Sequence, residues 1–376
     1  MKIGIDATFI GTEKPTGLAV YTRQVVNELA KIHDDIVLWT TAESGFNLPQ
    51  ERVRNVLREF AFLGQNRYMV RPFWMEFLFS NQLRYEGVDV LYSTVPGGMR
   101  NCPVPHVVTV HDLTPIVFPE DHPWFVRWNY MKRLPKILSR SAAIIADSEH
   151  TKRDIVGYYG LQPDHINVVD LGYDPDIFRP VNDELIISKY GLIREDYVIA
   201  VGSANRRKNL DTLIVAFSHL RGQISHKLVL AGSISPSQEL LLREVARKHN
   251  VEDRLIFPGY IPDSDLPAIY SGATLLAYIS LYEGFGLPLL EAMACGVPVI
   301  ASNSTSIPEV AGNAAILVDP LDYNAISRAI LKVATDSPTK EYLQRAGLER
   351  ASEFSWGKTA KSVYELLLGT YCENKN

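Results

Sequence analysis

Short apolar runs alternate with segments of helical periodicity along the whole chain. Residues 2–10, KIGIDATFI, precede TGLAVYTRQVVNELAKI, where Tyr21, Val25 and Leu29 recur at helical spacing. Apolar runs at 35–41, 88–94, 106–113, 142–148 and 166–172 read as further strands. The pattern restarts near residue 197, with runs at 197–203, 227–233, 254–260, 273–280, 298–303 and 315–320 and helical patterns between most of them, such as 236–249. Strand–helix alternation of this kind predicts parallel sheets with helices on both faces. The chain therefore divides into two α/β units, residues 1–172 and 185–356. They are joined by 173–184, where prolines and acids replace the apolar periodicity. A last helical pattern, 357–371, lies beyond the final strand. Ligands of open parallel sheets bind outside the carboxyl ends of the strands, so two such sheets facing each other would form a cleft lined by residues just after strands.

Composition narrows the setting. The length of 376 residues suits two ordinary domains, and the net charge of −5 makes no case for nucleic acid as a partner. Cys102, Cys295 and Cys372 are far apart and lack CxxC spacing, which reads as a reducing, cytoplasmic environment without structural zinc. MKIGIDATFIG lacks the basic start and long apolar stretch of a secretion signal, and no run of 18 apolar residues predicts a membrane span.

Candidate chemistry collects after the strands. YEGFGLPLLEAMACG (282–296) places Glu283 in a Gly-rich turn and Glu291 one turn into the helix that follows, with Pro288 suited to the helix start. Paired carboxylates suit acid/base hydrolysis, metal binding or hydroxyl recognition. The glycines permit close approach of a ligand, and a helix N-terminus favours phosphate. VGSANRRKNLDTL (201–213) joins a strand, a Gly-containing loop and the cations Arg206, Arg207 and Lys208, a set that suits a diphosphate. His111 follows the strand of VVTVHDLTP, where an imidazole can hydrogen-bond a substrate or handle a proton. Gly17 opens the first helix behind a Thr16 cap, without GxGxxG. In 303–312, NSTSIPEVAG, small polar residues can donate hydrogen bonds and Glu309 can accept one. Each piece also has a plain structural reading: a helix-dipole glutamate, a solvated basic turn, a histidine satisfied by backbone, a helix cap, a loop. Walker, HExxH and GxSxG patterns are absent, and no histidine stands at metal-ligand spacing from His111.

Together these stretches resemble the retaining glycosyltransferases of family 4. EGFGLPLLEAMACGVPVIAS is similar to their E-x7-E signature, and PTGLAVYT, VTVHDLTP, VGSANRRKNLDTLIVAF and SIPEVAGNAAILVDPLD are similar to further stretches of the family. The resemblance covers nearly the whole chain. It implies a GT-B fold: two Rossmann-like domains across a deep cleft, the first completed by the C-terminal helix (357–376). The second would bind a nucleotide sugar as substrate and the first an acceptor, with no metal and no cofactor required. By the same resemblance Glu291 would accept hydrogen bonds from the ribose and Glu283 would contact the transferred sugar. Backbone N–H groups around Gly284, Phe285, Gly286 and Leu287 would hold sugar and phosphate oxygens. Lys208 and Arg207, with Arg206, would neutralise the diphosphate; His111 would lie near the reacting centre, and Gly17 would let its loop approach the diphosphate. Ser203 stands where many members carry an arginine, so the cationic work falls to Lys208 and Arg207. Retention would proceed with the leaving phosphate assisting acceptor deprotonation on the same face, rather than through a glutamate nucleophile.

By the resemblance the donor reading leans to a UDP-hexose, since UDP-sugars are common across the family, with GDP-mannose next, since the RKN form occurs in relatives that use it. The acceptor would be a saccharide or lipid-linked saccharide in polysaccharide or glycoconjugate assembly. Alternatives are a non-catalytic sugar-nucleotide sensor or scaffold and a GT-B epimerase. PWFVRWNYMKRLPKILSR (123–140) interleaves Arg127, Lys132, Arg133, Lys136 and Arg140 with Trp124, Phe125, Trp128 and Tyr130 and carries no acid; 52–79 is similar. Such helices suit docking at the inner face of an anionic membrane, or two ordinary helices with aromatic cores.

Overall fold

The apolar runs form two parallel sheets. The structure, a computed structural model, describes residues 1–9, 16–41, 45–56 and 67–375. In the first unit the strands are β1 (Ile3–Ala7), β2 (Ile36–Thr40), β3 (Val53–Asn55), β4 (Val90–Ser93), β5 (His106–Val110), β6 (Ala143–Ala146) and β7 (Ile166–Val168). Their order is β3-β2-β1-β4-β5-β6-β7. In the second they are β8 (Tyr197–Val201), β9 (Lys227–Ala231), β10 (Leu255–Gly259), β11 (Leu275–Tyr278), β12 (Val299–Ser302) and β13 (Ala315–Val318), ordered β10-β9-β8-β11-β12-β13. Strands β1, β2, β4, β5 and β6 are buried along their whole length, as covered parallel sheets require. The pattern missed β3, a three-residue edge strand with Arg54 at its centre and no buried residue. Each sheet reverses its winding beside its first strand, between β1 and β4 and between β8 and β11. These are the switch points where ligands of such sheets bind.

The first unit comprises Met1–Gly172 and Ser355–Asn376, the second Tyr173–Phe354. The stretch 173–184, expected as a link, packs into the second unit instead. Phe178 is buried beside Tyr270, and the Val181 N–H donates to Ser271 Oγ at 3.0 Å. The last helix, Trp356–Glu373, starts under a Ser355 cap and lies against helix Gly17–Ile32. Its Thr359 hydroxyl donates to the Asp170 carbonyl at 2.8 Å. A side chain at Gly172 would meet the Trp356 nitrogen at 2.1 Å, so only glycine lets the chain pass there.

The basic–aromatic segment 123–140 is helical over 124–138 but not uniformly α. It runs as Trp124–Trp128, a wide π-helical turn Asn129–Arg133, and Leu134–Leu138. Arg133 turns inward, donating to the carbonyls of Pro72 and Gly98, both at 3.0 Å. The companion segment opens with β3 and then includes helix Arg67–Trp74; its residues 57–66 lie outside the described residues. Among the described residues no helix is long and apolar enough to cross a membrane.

Candidate active site

The second unit's site is built by loops at the switch point. After β8 the chain passes Gly202 and Ser203 into a single helical turn, Arg206–Lys208. Asn209 then takes a left-handed conformation, φ 57°, and its amide donates to the carbonyls of Ile279 (3.2 Å) and Pro320 (2.7 Å). This ties the basic turn to the ends of β11 and β13 and sends Lys208 inward. The loop after β11 closes on the same turn, with the Leu281 N–H donating to the Arg207 carbonyl at 2.7 Å.

The three charged side chains meet there. Lys208 Nζ donates to Glu283 Oε1 at 2.5 Å, and Arg207 donates to Oε2 at 2.7 Å. Lys208 also donates to the Tyr278 hydroxyl at 3.2 Å and lies 4.7 Å from the centre of that ring. Ser306 Oγ donates to the carbonyls of Glu283 and Phe285, and the Glu283 N–H donates to the Thr305 hydroxyl, so the 303–312 segment braces this loop. Burial alone would raise the Glu283 carboxyl, but the charges of Lys208 and Arg207 outweigh it and hold the group at about 2. Burial lowers the Lys208 ammonium against the pull of Glu283. Gly202, Ser203, Lys208, Ala231, Tyr278 and Ser280 line a cavity at the ends of β8, β9 and β11.

Glu291 occupies a different environment. It lies on helix Leu287–Ala294, whose N-cap is Gly286 at φ 117°. The Tyr270 hydroxyl donates to it at 3.4 Å. Burial and the nearby charge of Asp263 lift its carboxyl to about 8. The two glutamates of one short stretch therefore sit on opposite sides of neutrality.

In the first unit, His111 follows β5 and is buried. Its Nδ1 lies 2.6 Å from Asp147 Oδ2, behind β6, and its Nε2 lies 2.8 Å from the Thr94 carbonyl, behind β4. Tyr21 stands edge-on to the imidazole at 4.5 Å. Burial would lower the imidazole, and the Asp147 carboxylate reverses the sign and raises it. Gly17 is the exposed first residue of helix Gly17–Ile32, with Thr16 capping that helix through Ala19 N–H. Pro15 lies outside the described residues.

Of the expected residues, Lys208, Arg207 and Glu283 are brought into direct contact, with Ser203 on the same cavity. Arg206 is exposed, and Phe285 is buried with its ring 5.9 Å from Phe354, packing rather than presenting a side chain. Gly284 and Gly286 are buried in the loop, and Leu287 starts the helix. Sequence reading missed Tyr278, Tyr270 and Asp147. Tyr278 and Asp147 stand at or just after strand ends, the same position that marked His111. Tyr270 lies on helix Leu266–Gly272 and carried no such sign. Among the described residues no group of three His, Cys, Asp or Glu could hold a metal ion.

Solved structures share this architecture. Sucrose-phosphate synthase from Thermosynechococcus elongatus superposes with a TM-score of 0.77 at 21% identity over 99% of each chain. Anabaena HepE in complex with UDP-glucose gives 0.73 at 18% identity, over 98% of this chain and 100% of that one. Two Rossmann-like parallel-sheet units of this kind define the GT-B class of glycosyltransferase folds. A family profile described as Glycosyltransferase Family 4 matches residues 15–177, and one described as Glycosyl transferases group 1 matches 183–350. This chain belongs to the family 4 glycosyltransferases.

Among relatives, O-antigen chain mannosyltransferase B of Escherichia coli is 36% identical over 255 residues, covering 66% of each protein. The serotype-specific mannosyltransferase WbdA of Escherichia coli is 31% identical over 296 residues, covering 75% of this chain but only 35% of WbdA. Mannosylfructose-phosphate synthase of Agrobacterium fabrum is 27% identical over 96% of this chain and 88% of its own length.

Proposed function

We propose that the chain is a retaining hexosyltransferase that moves mannose from GDP-mannose to a saccharide or lipid-linked saccharide in polysaccharide assembly. The observation that carries the reading is the buried Lys208–Glu283–Arg207 cluster at the switch point, beside a helix N-terminus. Two cations and free N–H groups suit a diphosphate, and a carboxylate suits sugar hydroxyls. The sequence leaned to a UDP-hexose. The mannosyltransferase relatives and the RKN form of the phosphate segment move the proposal to GDP-mannose.

In this reading Glu291 takes the ribose, Glu283 the transferred sugar, and the N–H groups near Gly286 and Leu287 the phosphate oxygens. As the sugar–phosphate bond breaks, negative charge grows on the diphosphate and positive charge on the sugar carbon. Lys208 and Arg207, drawn from Glu283 toward the diphosphate, stabilise the first. The leaving phosphate then receives the acceptor's proton on the same face. No metal is invoked in these steps.

A thermal-shift screen of UDP, GDP and their sugars on the full chain, followed by nucleotide release with a saccharide acceptor, tests the proposal. GDP should raise the melting temperature and GDP-mannose should be turned over. A rise with UDP alone would move the donor to a UDP-hexose, and no response to any nucleotide would end the transferase reading. Peripheral membrane contact is a second part of the proposal. Trp124, Trp128 and Met131 are exposed at helical spacing, as are Phe73 and Phe77, with Arg127, Lys132 and Lys136 interspersed. Sedimentation with anionic liposomes at low salt should carry the protein down, and Trp124→Ala with Trp128→Ala should release it.

A further inference from the structure

His111 is held by three neighbouring strands of the first sheet. Thr94, Asp147 and the histidine itself each stand directly after their strands, β4, β6 and β5. Both ring nitrogens face oxygen acceptors, the Thr94 carbonyl at 2.8 Å from Nε2 and the Asp147 carboxyl at 2.6 Å from Nδ1. A carbonyl can only accept, so Nε2 must carry a hydrogen. The Nδ1 contact must then hold a second proton, shared between the ring and the carboxyl. The other carboxyl oxygen, Oδ1, is buried and has no hydrogen-bond partner among the described residues, so there the imidazole is the carboxylate's hydrogen-bonded counter-group.

The surroundings keep the ring in this orientation. Tyr21, from helix Gly17–Ile32, packs edge-on against it and is tied by its hydroxyl to Tyr92 at 2.6 Å and Thr109 at 3.3 Å. The Thr151 hydroxyl donates to the His111 carbonyl at 3.2 Å. The titratable groups facing the imidazole are Asp147, the adjacent Asp112 and Tyr21, with Tyr92 behind it. Among the described residues two of them are carboxylates and none is a cation.

We propose that Asp147 is a positioning residue that keeps the second proton on His111, making the imidazole a fixed double donor rather than a general base. This rests on the transferase reading in one respect: in that reaction His111, with both N–H groups given to Thr94 and Asp147, would act through its fixed charge near a developing negative charge and would not deprotonate the acceptor. Burial alone would drive the imidazole neutral. The Asp147 carboxylate reverses that sign; burial raises the Asp147 carboxyl too, against the pull of His111, and the 2.6 Å contact holds one proton between the two. An unpaired buried imidazole would lose its second proton across the neutral range.

The test is ring-nitrogen NMR of the full chain labelled with 15N-histidine, with His111 assigned by its loss in His111→Gln. At pH 7.5 the wild type should show both His111 nitrogens protonated, and Asp147→Asn should leave one. A neutral His111 in the wild type at that pH would overturn the proposal, whether or not the variant folds. The second arm is turnover of the accepted donor across pH 6–9. The wild-type kcat should show no inflection from a histidine. Asp147→Asn should lower kcat about 10- to 100-fold, the worth of one hydrogen bond to a charged group, with donor KM little changed. Asp147→Glu should recover part of the loss. If Asp147→Asn keeps the wild-type kcat and pH profile, the positioning role is wrong. The NMR arm needs no turnover, so a chain that used no donor would defeat the transferase reading while leaving the proton placement to be decided by the spectra.

Discussion

Glu283→Gln separates the two jobs proposed for this glutamate. In the free protein its carboxylate is buried and bonded to Lys208 and Arg207, which hold it at about 2 rather than the usual 4.5. That depression corresponds to about 3 kcal/mol of folded-state stabilisation of the charged form. A depressed carboxyl contributes its full stability above pH 4.5 and loses it as pH falls toward 2. The glutamine variant should therefore melt roughly 6–12 °C lower at pH 7, given a unit of this size. More than half of that difference should vanish by about pH 3. Deprotonation of Lys208, already lowered by burial, would soften the loss, but Arg207 has no such escape. Differential scanning fluorimetry across pH 3–8 reads this directly. The same substitution frees two cations that the diphosphate would otherwise have to win from Glu283. GDP should then bind about tenfold more tightly while transfer falls, because the sugar contact is gone. A variant that melts with the wild type at pH 7, or whose deficit is the same at pH 3, would refute the electrostatic argument. Weaker GDP binding would refute the competition.

Two further outcomes follow from the geometry. With its carboxyl lifted to about 8, Glu291 is protonated at neutral pH in the free protein, and a ribose that needs the carboxylate must expel that proton. GDP affinity should rise between pH 6.5 and 8.5, calorimetry in two buffers should register proton release, and Glu291→Gln should abolish both. A raised carboxyl also costs stability as pH climbs from about 4.5 through about 8, so the glutamine variant should show a flatter melting profile over that range. Gly232→Ala and Gly17→Ala should contrast. At φ 140° a Cβ on Gly232 would lie 2.0 Å from the Gly202 carbonyl oxygen, which should cost about 3 kcal/mol or more in urea denaturation. Nothing lies within 4 Å of a Cβ at Gly17, so Gly17→Ala should leave stability within about 1 kcal/mol while lowering donor turnover.

Most of the architecture was legible because parallel strands buried on both faces are written as uninterrupted apolar runs. Strand β3 escaped because Val53–Asn55 is short, polar at its centre and on an edge, where burial writes little into the sequence. The stretch 173–184 misled because its prolines and acids look like a tether, although Phe178 anchors it. Of the candidate site, the strand-end placement of Lys208, Arg207, Glu283 and His111 was readable in the sequence. Their partners were not, because contacts such as Lys208–Glu283 and His111–Asp147 join loops 75 and 36 residues apart. The charge states of Glu283 and Glu291 depend on burial and on such partners: identical residues in one motif differ because only the first is hydrogen-bonded to cations.

The return of the last helix to the first unit has a consequence for how the chain matures. The second unit is one uninterrupted stretch, Tyr173–Phe354, whereas the first is completed by Trp356–Glu373 lying on Gly17–Ile32. During synthesis the second unit can finish while the first still waits for its final helix. Until then, the apolar face of Gly17–Ile32 that receives it stays uncovered. Premature termination near residue 355 would thus injure the part of the protein made first and spare the part made last.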